Sequence, residues 1–129
     1  MTPTYDRAPR TPDAKRIVME HLISAVSAEV FSRRPDGDNH PDRFVVVIAT
    51  GGSGVTQKAL AVAQITVDAY GRSIGDAMDL ARDTIDAIHE LPNRRVGVAH
   101  VQSTMPAELP DPDTAQPRAT ATCTITLHR

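Results

Sequence analysis

The first segment with a helical pattern of apolar residues lies near the start of the sequence. Thr11 is a favourable helix cap, Pro12 fits the first helical position, and Asp13 suits the positive end of a helix dipole. The apolar residues that follow form one stripe at helical spacing: Val18, Met19, Leu22, Ala25 and Val26. This pattern predicts a helix from Pro12 to about Ala28.

A stronger helical pattern occupies the second half of the chain. Ser73 and Asp76 form an S-x-x-D capping box, and Pro92 marks the end of the helix. One face carries the apolar residues Ile74, Ala77, Met78, Ala81, Ile85, Ile88 and Leu91. The opposite face is polar. Because each large aliphatic side chain contributes about 1.5–3 kcal/mol when it is buried, this helix is expected to pack against a sheet.

Strand patterns lie between and after the two helices. Residues 44–50 (FVVVIAT) are apolar on both alternation phases, which is typical of a central strand with both faces covered. Residues 59–70 alternate, and they are expected to form an antiparallel hairpin with that strand across a flexible loop, GGSGVTQ, at 51–57. The remaining strand patterns lie at 29–33, which is short and weak, 96–105 and 118–128.

The order of these elements, α-β-β-β-α-β-β, defines the expected fold class. Hairpins separate the helices, and a full β-α-β rhythm is missing. We therefore expect one α+β domain at residues 12–129, with a mostly antiparallel sheet and two helices packed on one of its faces. Residues 1–11 carry Pro3 and Pro9 among polar side chains and are expected to form an extended arm.

Composition narrows the class of protein. The 129 residues fit one domain, and a net charge of -2 without any run of five or more like charges argues against a dedicated nucleic-acid or membrane-surface binder. Aromatic residues make up only 3%, so stacking platforms for bases are not expected. The single cysteine, Cys123, excludes an intrachain disulfide, suits a small core position, and favours a reducing compartment such as the cytosol. No window approaches the length of a membrane span.

Three groups of residues raise the question of chemistry. The glycine-rich segment 51–58 lacks the G-x-x-x-x-G-K-[ST] pattern and precedes a strand, so a phosphate site is disfavoured. The spacing of Asp111 and Asp113 suits Ca²⁺ or Mg²⁺, but the other ligands of a calcium loop are missing, and a structural or interface role is favoured. The five histidines lack zinc-binding spacing. We expect no enzyme, no cofactor and no metal.

The last strand pattern follows a stiff segment that contains three prolines. Along 118–128 the apolar side chains point one way and a row of threonines points the other. That row fits two alternatives equally well: a solvated sheet face, or a surface that faces a subunit or a lumen. Prolines limit the entropy lost when a loop docks, so an interface is a natural role for the segment. Candidate interface residues are Leu109, Pro110, Asp111, Pro112, Asp113, Gln116 and Arg118, and candidate contact-loop residues are Gly51, Gly52, Ser53, Gly54, Gln57 and Lys58.

Four motifs together form a recognisable arrangement. They are the capped first helix, FVVVIATGG before a hairpin, ITVDAYGRSIGDAMDLARDTIDAI across a strand and a helix, and LPDPDTAQPRATATCTITLHR at the end. Over roughly residues 12–129 the chain resembles the tail terminator proteins of long-tailed, siphophage-type bacteriophages. The most specific part of the resemblance is LPDPDTAQPR, 109–118, with the strand that follows it, and the crossing from strand to helix at 70–81 comes second.

The resemblance implies a structural virion protein without enzymatic activity. Members of that family form a hexameric ring on the head-proximal end of the tail tube, stop its polymerisation and offer a surface to the head-tail connector. The implied partners are further copies of the chain, the tail tube protein and the connector or stopper protein, while genomic DNA passes through the lumen without specific binding. The implied location is the tail-neck junction of the virion, after synthesis in the host bacterial cytoplasm.

Two other interpretations stay open at this point. One is another neck or head-closure connector protein, which is also a small ring-former. The other comes from a different class: a small α+β ligand-binding or regulatory domain that uses the loop 51–54 as its site.

Overall fold

The computed structural model describes residues 11–37, 39–55 and 60–128. The elements are α1 Ala14–Ala25, β1 Glu29–Phe31, β2 Phe44–Val55, β3 Leu60–Tyr70, α2 Ile74–His89, α3 Leu91–Arg94, β4 Val98–Ser103, β5 Ala107–Glu108 and β6 Arg118–His128. This set of helices and strands confirms the expected α+β class. The expected N-terminal arm, apart from Thr11, lies outside the described residues, as do Gln57 and Lys58 of the candidate contact loop.

The strands form one sheet in the order β1-β2-β3-β6-β4, and β5 pairs with β6 beside β4. β1 pairs with β2 in parallel, whereas the other described pairings are antiparallel. We call the part of the sheet around Phe44–Val47 the near half, where β1 and β5 form the edges. The part around Ile48–Val55 is the far half, where β4 forms one edge and β2 itself forms the other.

One face of the sheet is covered by helices. α1 and α2 bury Val18, Leu22, Leu80 and Ile88 against the strands, and these side chains are at most 1% exposed. The strand residues that complete this core are Val45, Val47, Ile65, Val67, Ala121, Cys123, Ile125 and Leu127. Two helices on one face are therefore confirmed. Cys123 is fully buried, as expected of a core residue, and burial raises the pKa of its thiol to about 11.

The face opposite the helices, which we call the open face, is covered only in the near half. There Phe44, Val46 and Tyr70 are buried, and Phe31 packs against them. The Phe44 and Tyr70 rings stack with centroids 4.5 Å apart, and Phe31 meets Phe44 edge-on at 5.6 Å. In the far half the open face carries mostly threonine and glutamine side chains, and Ile48 also lies on it.

The first helix begins two residues later and ends about three residues earlier than its sequence pattern indicates. The cap is Asp13, whose carboxylate accepts the backbone N–H of Arg16 at 3.0 Å, so the predicted cap Thr11 is wrong. The helix ends at Ala25 because Val26 already has extended backbone angles, and the predicted end near Ala28 is wrong as well.

The second helix begins where its capping box places it. The Ser73 hydroxyl accepts the backbone N–H of Asp76 at 3.1 Å, as predicted. The Asp76 carboxylate accepts the N–H of Arg72, one residue before the cap. α2 ends at His89, and Pro92 lies in the first turn of the short helix α3, where its missing N–H costs no helical hydrogen bond.

The predicted flexible loop at 51–57 is wrong for its first five residues. β2 continues to Val55 and stays paired with β3 across two irregularities. Gly51, Gly52 and Gly54 have φ of 98°, 136° and 113°, which lets the strand bulge there. A Cβ on Gly52 would lie 2.2 Å from the Val62 carbonyl oxygen, so only glycine fits this close approach.

The strand predicted at 96–105 is shorter than its pattern. β4 spans Val98–Ser103, and the flanking Val96 and Met105 are 99% and 83% exposed. The two-residue strand β5 was not predicted. β6, in contrast, spans Arg118–His128 with the alternating burial that its sequence pattern predicts.

Candidate functional site

The segment from Leu109 to Arg118 forms a closed loop between β5 and β6. Backbone hydrogen bonds join the Leu109 N–H to the Arg118 carbonyl at 3.0 Å and the Asp111 N–H to the Gln116 carbonyl at 3.1 Å. A third bond joins the Ala115 N–H to the Asp111 carbonyl at 2.8 Å, and Ala115 takes a left-handed φ of 58°. These hydrogen bonds fix the backbone conformation of the loop, and its prolines restrict the backbone further.

Asp111 anchors this loop to the body of the protein. Its side chain is only 4% exposed, and one carboxylate oxygen lies 2.9 Å from the Tyr70 hydroxyl, which donates to it, and 3.0 Å from Arg34 Nε. The other carboxylate oxygen accepts the backbone N–H of Asp113 at 2.9 Å, which makes a local Asx turn. We call Asp111, Tyr70, Arg34 and Gln116 the anchor cluster.

The anchor cluster favours the charged form of Asp111. Burial pushes the pKa of this carboxyl upward, but the Asp113 N–H, the Tyr70 hydroxyl, the Arg34 charge and the Thr114 N–H together outweigh burial and lower it. The pKa of the Tyr70 phenol is raised, first by burial and then by the neighbouring Asp111 carboxylate. The loop is thus held by an ionised carboxylate and a neutral phenol.

Arg34 joins the loop to a distant part of the chain. Its Nη2 donates to the Gln116 side-chain oxygen at 2.7 Å, and its guanidinium carbon lies 5.9 Å from the centroid of the Tyr70 ring. Its Nε is close to the Asp111 carboxylate but makes no well-aligned hydrogen bond to it. This contact is therefore an ion pair without a hydrogen bond. The connection between β1 and β2 is therefore fastened to the loop before β6.

The candidate interface residues divide into two groups. Asp111, Gln116 and Arg118 point inward, and Arg118 donates from Nε to the Leu109 carbonyl at 2.8 Å. Leu109, Pro110, Pro112 and Asp113 are exposed, and Leu109 is 51% exposed although it is apolar. Because Arg34 and Tyr70 already occupy the Asp111 carboxylate, Asp111 and Asp113 do not present a carboxylate pair for a cation.

The glycine-rich candidates lie on the far half of the hairpin. Gly51, Gly52, Ser53 and Gly54 are exposed within β2. Between this part of the hairpin and the start of α1 lies a groove of about 540 Å³, lined mostly by apolar atoms of residues such as Pro12, Ala49, Ala63 and Ile65. The structure thus places the four glycine-rich residues beside a groove and well away from the anchor cluster.

The threonine row lies on the open face of the far half. Thr66 and Thr122 hydroxyls are 3.3 Å apart on neighbouring strands, and the Thr66 hydroxyl also donates to Thr50 at 3.5 Å. Gln64, Gln102, Thr104 and Thr124 line a shallow depression in the same area. This surface offers many hydroxyl and amide groups and no net charge.

Two contacts were not foreseen from the sequence. Arg34 and Tyr70 are 41 or more residues from the loop residues that they hold, Gln116 and Asp111, so no local pattern indicates the pairing. His89 Nε2 and the Ser103 hydroxyl are 2.7 Å apart on α2 and β4. In a Ser-His-Asp triad a carboxylate accepts a hydrogen bond from the histidine and orients it. Within the described ranges His89 has no such hydrogen bond to a carboxylate.

Residues 11–37, 39–55 and 60–128 contain no group of three or more His, Cys, Asp or Glu side chains placed to hold a metal ion. In the same ranges, no helix has the length and apolar character that crossing a membrane requires. No model of a known protein family matches the chain, and no curated protein sequence matches it. The function is therefore inferred from the geometry of the anchored loop and of the far half, together with the sequence motifs.

Proposed function

We propose that this protein is a tail terminator of a long-tailed phage. It would form a ring on the head-proximal end of the tail tube, end the growth of the tube and present a new surface to the head-tail connector. The observation that carries the proposal is the anchored loop. Leu109, Pro110, Pro112 and Asp113 are exposed on a backbone that Asp111 fixes from within the protein.

A fixed and exposed loop suits contact with another subunit. Loops that are ordered before binding lose little conformational entropy when they dock, and here three prolines and the buried Asp111 both restrict the segment. The exposed Leu109 supplies an apolar side chain to such a surface. The motif LPDPDTAQPR is also the most specific part of the resemblance to tail terminators.

Ring formation follows from a contact between two different surfaces of the same chain. When subunits meet head to tail and the rotation closes, the product is a ring with two distinct faces. One face would match the tube and the other would not, which is what stops polymerisation. A net charge of -2 with only two lysines agrees with a lumen through which DNA slides without being held.

Deletion of the gene in the producing phage tests this function directly. We expect tails longer than those of the parent phage and lacking heads, measured by electron microscopy, with the parental length restored by the gene supplied in trans. Tails of normal length in the deletion mutant would reject the proposal. Tails of normal length that still fail to join heads would instead support the interpretation as another neck protein.

The anchored loop has its own matched test. Replacing Pro112 and Asp113 with glycine reduces the stiffness of the exposed part of the loop but keeps the N–H that residue 113 donates to Asp111. We expect weaker ring assembly with an unchanged circular dichroism spectrum. The same double replacement at Pro41 and Asp42, another Pro-Asp pair that lies outside the anchor cluster, is the control and is expected to leave assembly unchanged.

The groove beside the glycine-rich residues favours a second candidate function, binding of an apolar ligand. Its volume of about 540 Å³ is in the range of small-molecule sites, and its lining is mostly apolar, which does not suit a nucleotide or a phosphate. A thermal-shift screen with fatty acids and other apolar probes tests it. A saturable rise in melting temperature would support ligand binding, and its loss in an Ala63→Trp variant would locate the ligand in the groove.

A further inference from the structure

We propose that copies of this chain join head to tail through their sheets, with β4 of one copy adding as an antiparallel strand to the free edge of β2 in the next copy. This inference specifies how the subunits of the proposed ring make contact. Only the closing of the joined copies into a ring rests on the proposed function; the pairing of the two strand edges follows from the geometry of the sheet.

The first edge belongs to β2 in the far half. β1 pairs only with Phe44–Val46, so within the described chain the stretch from Val47 to Val55 has a strand partner on the β3 side alone. An unpaired edge presents a row of N–H and C=O groups that another strand can use. Ile48 and Val55, which lie on this edge, are 37% and 44% exposed.

The second edge belongs to β4, at the opposite side of the sheet. β4 pairs with β6 along one side, and none of the described strands lies on its other side. Val96 and Met105 flank it and are among the most exposed large apolar side chains described, at 99% and 83%. Both edges therefore combine backbone groups that have no partner strand among the described residues with exposed apolar side chains.

Neither edge carries the charges that usually prevent strand addition. Natural edge strands are commonly guarded by lysine, proline or inward-pointing charges. Val47–Val55 (VIATGGSGV) and β4 (VAHVQS) contain no Lys, Arg, Asp, Glu or Pro. β2 has bulges, which bend the edge, but these sit on its ladder with β3.

Strand directions make the pairing antiparallel. β2, β3, β6 and β4 alternate in direction because each neighbouring pair is antiparallel. β4 therefore runs opposite to β2 in the same sheet. When a second copy continues the sheet in the same orientation, its β4 lies antiparallel to β2, which is the more stable strand pairing.

The level of the two edges along the strands agrees with a ring. Ser103 pairs with Cys123, which pairs with Ile65, which pairs with Ala49. At the other end of β4, Val98 connects through Leu127 and Ala61 to Val55 in the same way. β4 thus stands level with Ala49–Val55. A neighbour can reach this edge by rotation with little rise, and an array built without rise closes into a ring instead of extending as a helix.

Disulfide trapping between copies tests the contact. Thr50 on β2 and Gln102 on β4 both lie on the open face, at nearly the same level of the sheet. A mixture of Thr50→Cys and Gln102→Cys proteins is expected to form a mixed disulfide dimer under mild oxidation, and neither variant is expected to do so alone. The native Cys123 is fully buried and gives no background.

The matched control moves one cysteine inward by a single strand. Thr124 pairs with Gln102 on the same face, so a Thr124→Cys protein mixed with Thr50→Cys is expected to lose the cross-link, because disulfides need Cβ atoms about 3.5–4.5 Å apart. Equal cross-linking of both mixtures would overturn the inference. A disulfide dimer of Thr50→Cys alone would overturn it too, because it would show β2 edges meeting each other.

A charge on the edge gives an independent measurement. Thr50→Lys is expected to shift the sedimenting species from assembled to monomeric, while Glu90→Lys, at the end of α2, leaves it assembled. Assembly unchanged by Thr50→Lys, or a monomer in the unmodified protein together with no cross-link, would overturn the inference. If the mixed disulfide forms but deletion of the gene leaves tail length unchanged, this contact stands and the terminator function is rejected. If deletion lengthens the tails but Thr50→Lys phage have tails of normal length, the terminator function stands and this contact is rejected.

Discussion

The near and far halves of the sheet are built from the same three long strands but are finished differently. In the near half both faces are covered: helices lie on one, and the aromatic cluster with the anchored loop lies on the other. β1 and β5 also lie along its edges. In the far half the open face is polar, and the outer edges of β2 and β4 are unpaired in the described chain.

This difference concentrates the contacts that stabilise a single copy in the near half, although the exposed side of the anchored loop there is also proposed as a subunit contact. Buried aromatic side chains and an ionised carboxylate with three partners stabilise the near half. The far half has surface that contributes little to the fold of one copy and is available to a second copy. The substitutions below test that division, beginning with the largest expected effect.

The comparison is sharpest along β2 itself. Phe44 is fully buried, so Phe44→Ala is expected to lower the free energy of unfolding by about 3–5 kcal/mol, since it removes a large side chain and leaves a cavity. Ile48, on the same face of the same strand, is 37% exposed, and Ile48→Ala is expected to cost less than about 1 kcal/mol. Urea denaturation measures both. Equal losses would mean that the two halves do not differ as described.

The anchor cluster predicts a smaller but specific loss. Asp111→Asn keeps the shape of the side chain and removes the charge that faces Arg34, so we expect a loss of about 1–3 kcal/mol in the free energy of unfolding. Asp113→Asn is the matched control, because Asp113 takes part through its backbone N–H, and should change stability by less than about 0.5 kcal/mol. A double-mutant cycle with Tyr70→Phe measures the coupling, and additive effects would contradict the cluster.

The same carboxylate makes the stability difference dependent on pH. The pKa of Asp111 is lowered by folding, so its contribution is complete above the unfolded Asp pKa of about 4 and is lost as the pH falls through the lowered value. The advantage of the unmodified protein over Asp111→Asn is therefore expected at neutral pH and should vanish in strong acid. The pKa of Asp76 is also lowered, chiefly by the Arg72 N–H, but this contribution cancels in the difference. A difference independent of pH would contradict the ionised anchor.

The smallest effect is expected on the open face of the far half. Thr124 is half-buried in the threonine row, and Thr124→Ala should change the free energy of unfolding by less than about 0.5 kcal/mol. The next residue, Ile125, points to the helices and is fully buried, so Ile125→Ala is the control, with an expected loss of about 2–5 kcal/mol. A large loss at Thr124 would show that the row stabilises the single copy.

The parts of the fold that the sequence predicts well depend on local signals. The start of α2 follows from Ser73 and Asp76, which are three residues apart, and β6 follows from uninterrupted alternation between Arg118 and His128. The start of α1 was misplaced because Pro12 suits the first helical position and so favoured Thr11 as the cap, although Asp13 is the stronger cap residue of the two.

The features that the sequence does not predict depend on distant partners. Gly51–Gly54 read as a loop because glycines are common in loops, yet pairing with β3 keeps them in a strand. Asp111 was predicted to have a structural or interface role, and the sequence does not show that Arg34 and Tyr70 hold its side chain inside the protein. Those partners come from other parts of the chain, and only the folded arrangement brings them together.

The position of β6 has a consequence for synthesis on the ribosome. β6 is the last element described, yet it lies inside the sheet, between β3 on one side and β4 and β5 on the other. Until β6 has left the exit tunnel, β4 and β5 have no strand to pair with and the edge of β3 is open. Nascent chains therefore cannot complete this sheet before β6 emerges, and they expose unpaired strand edges to chaperones until then.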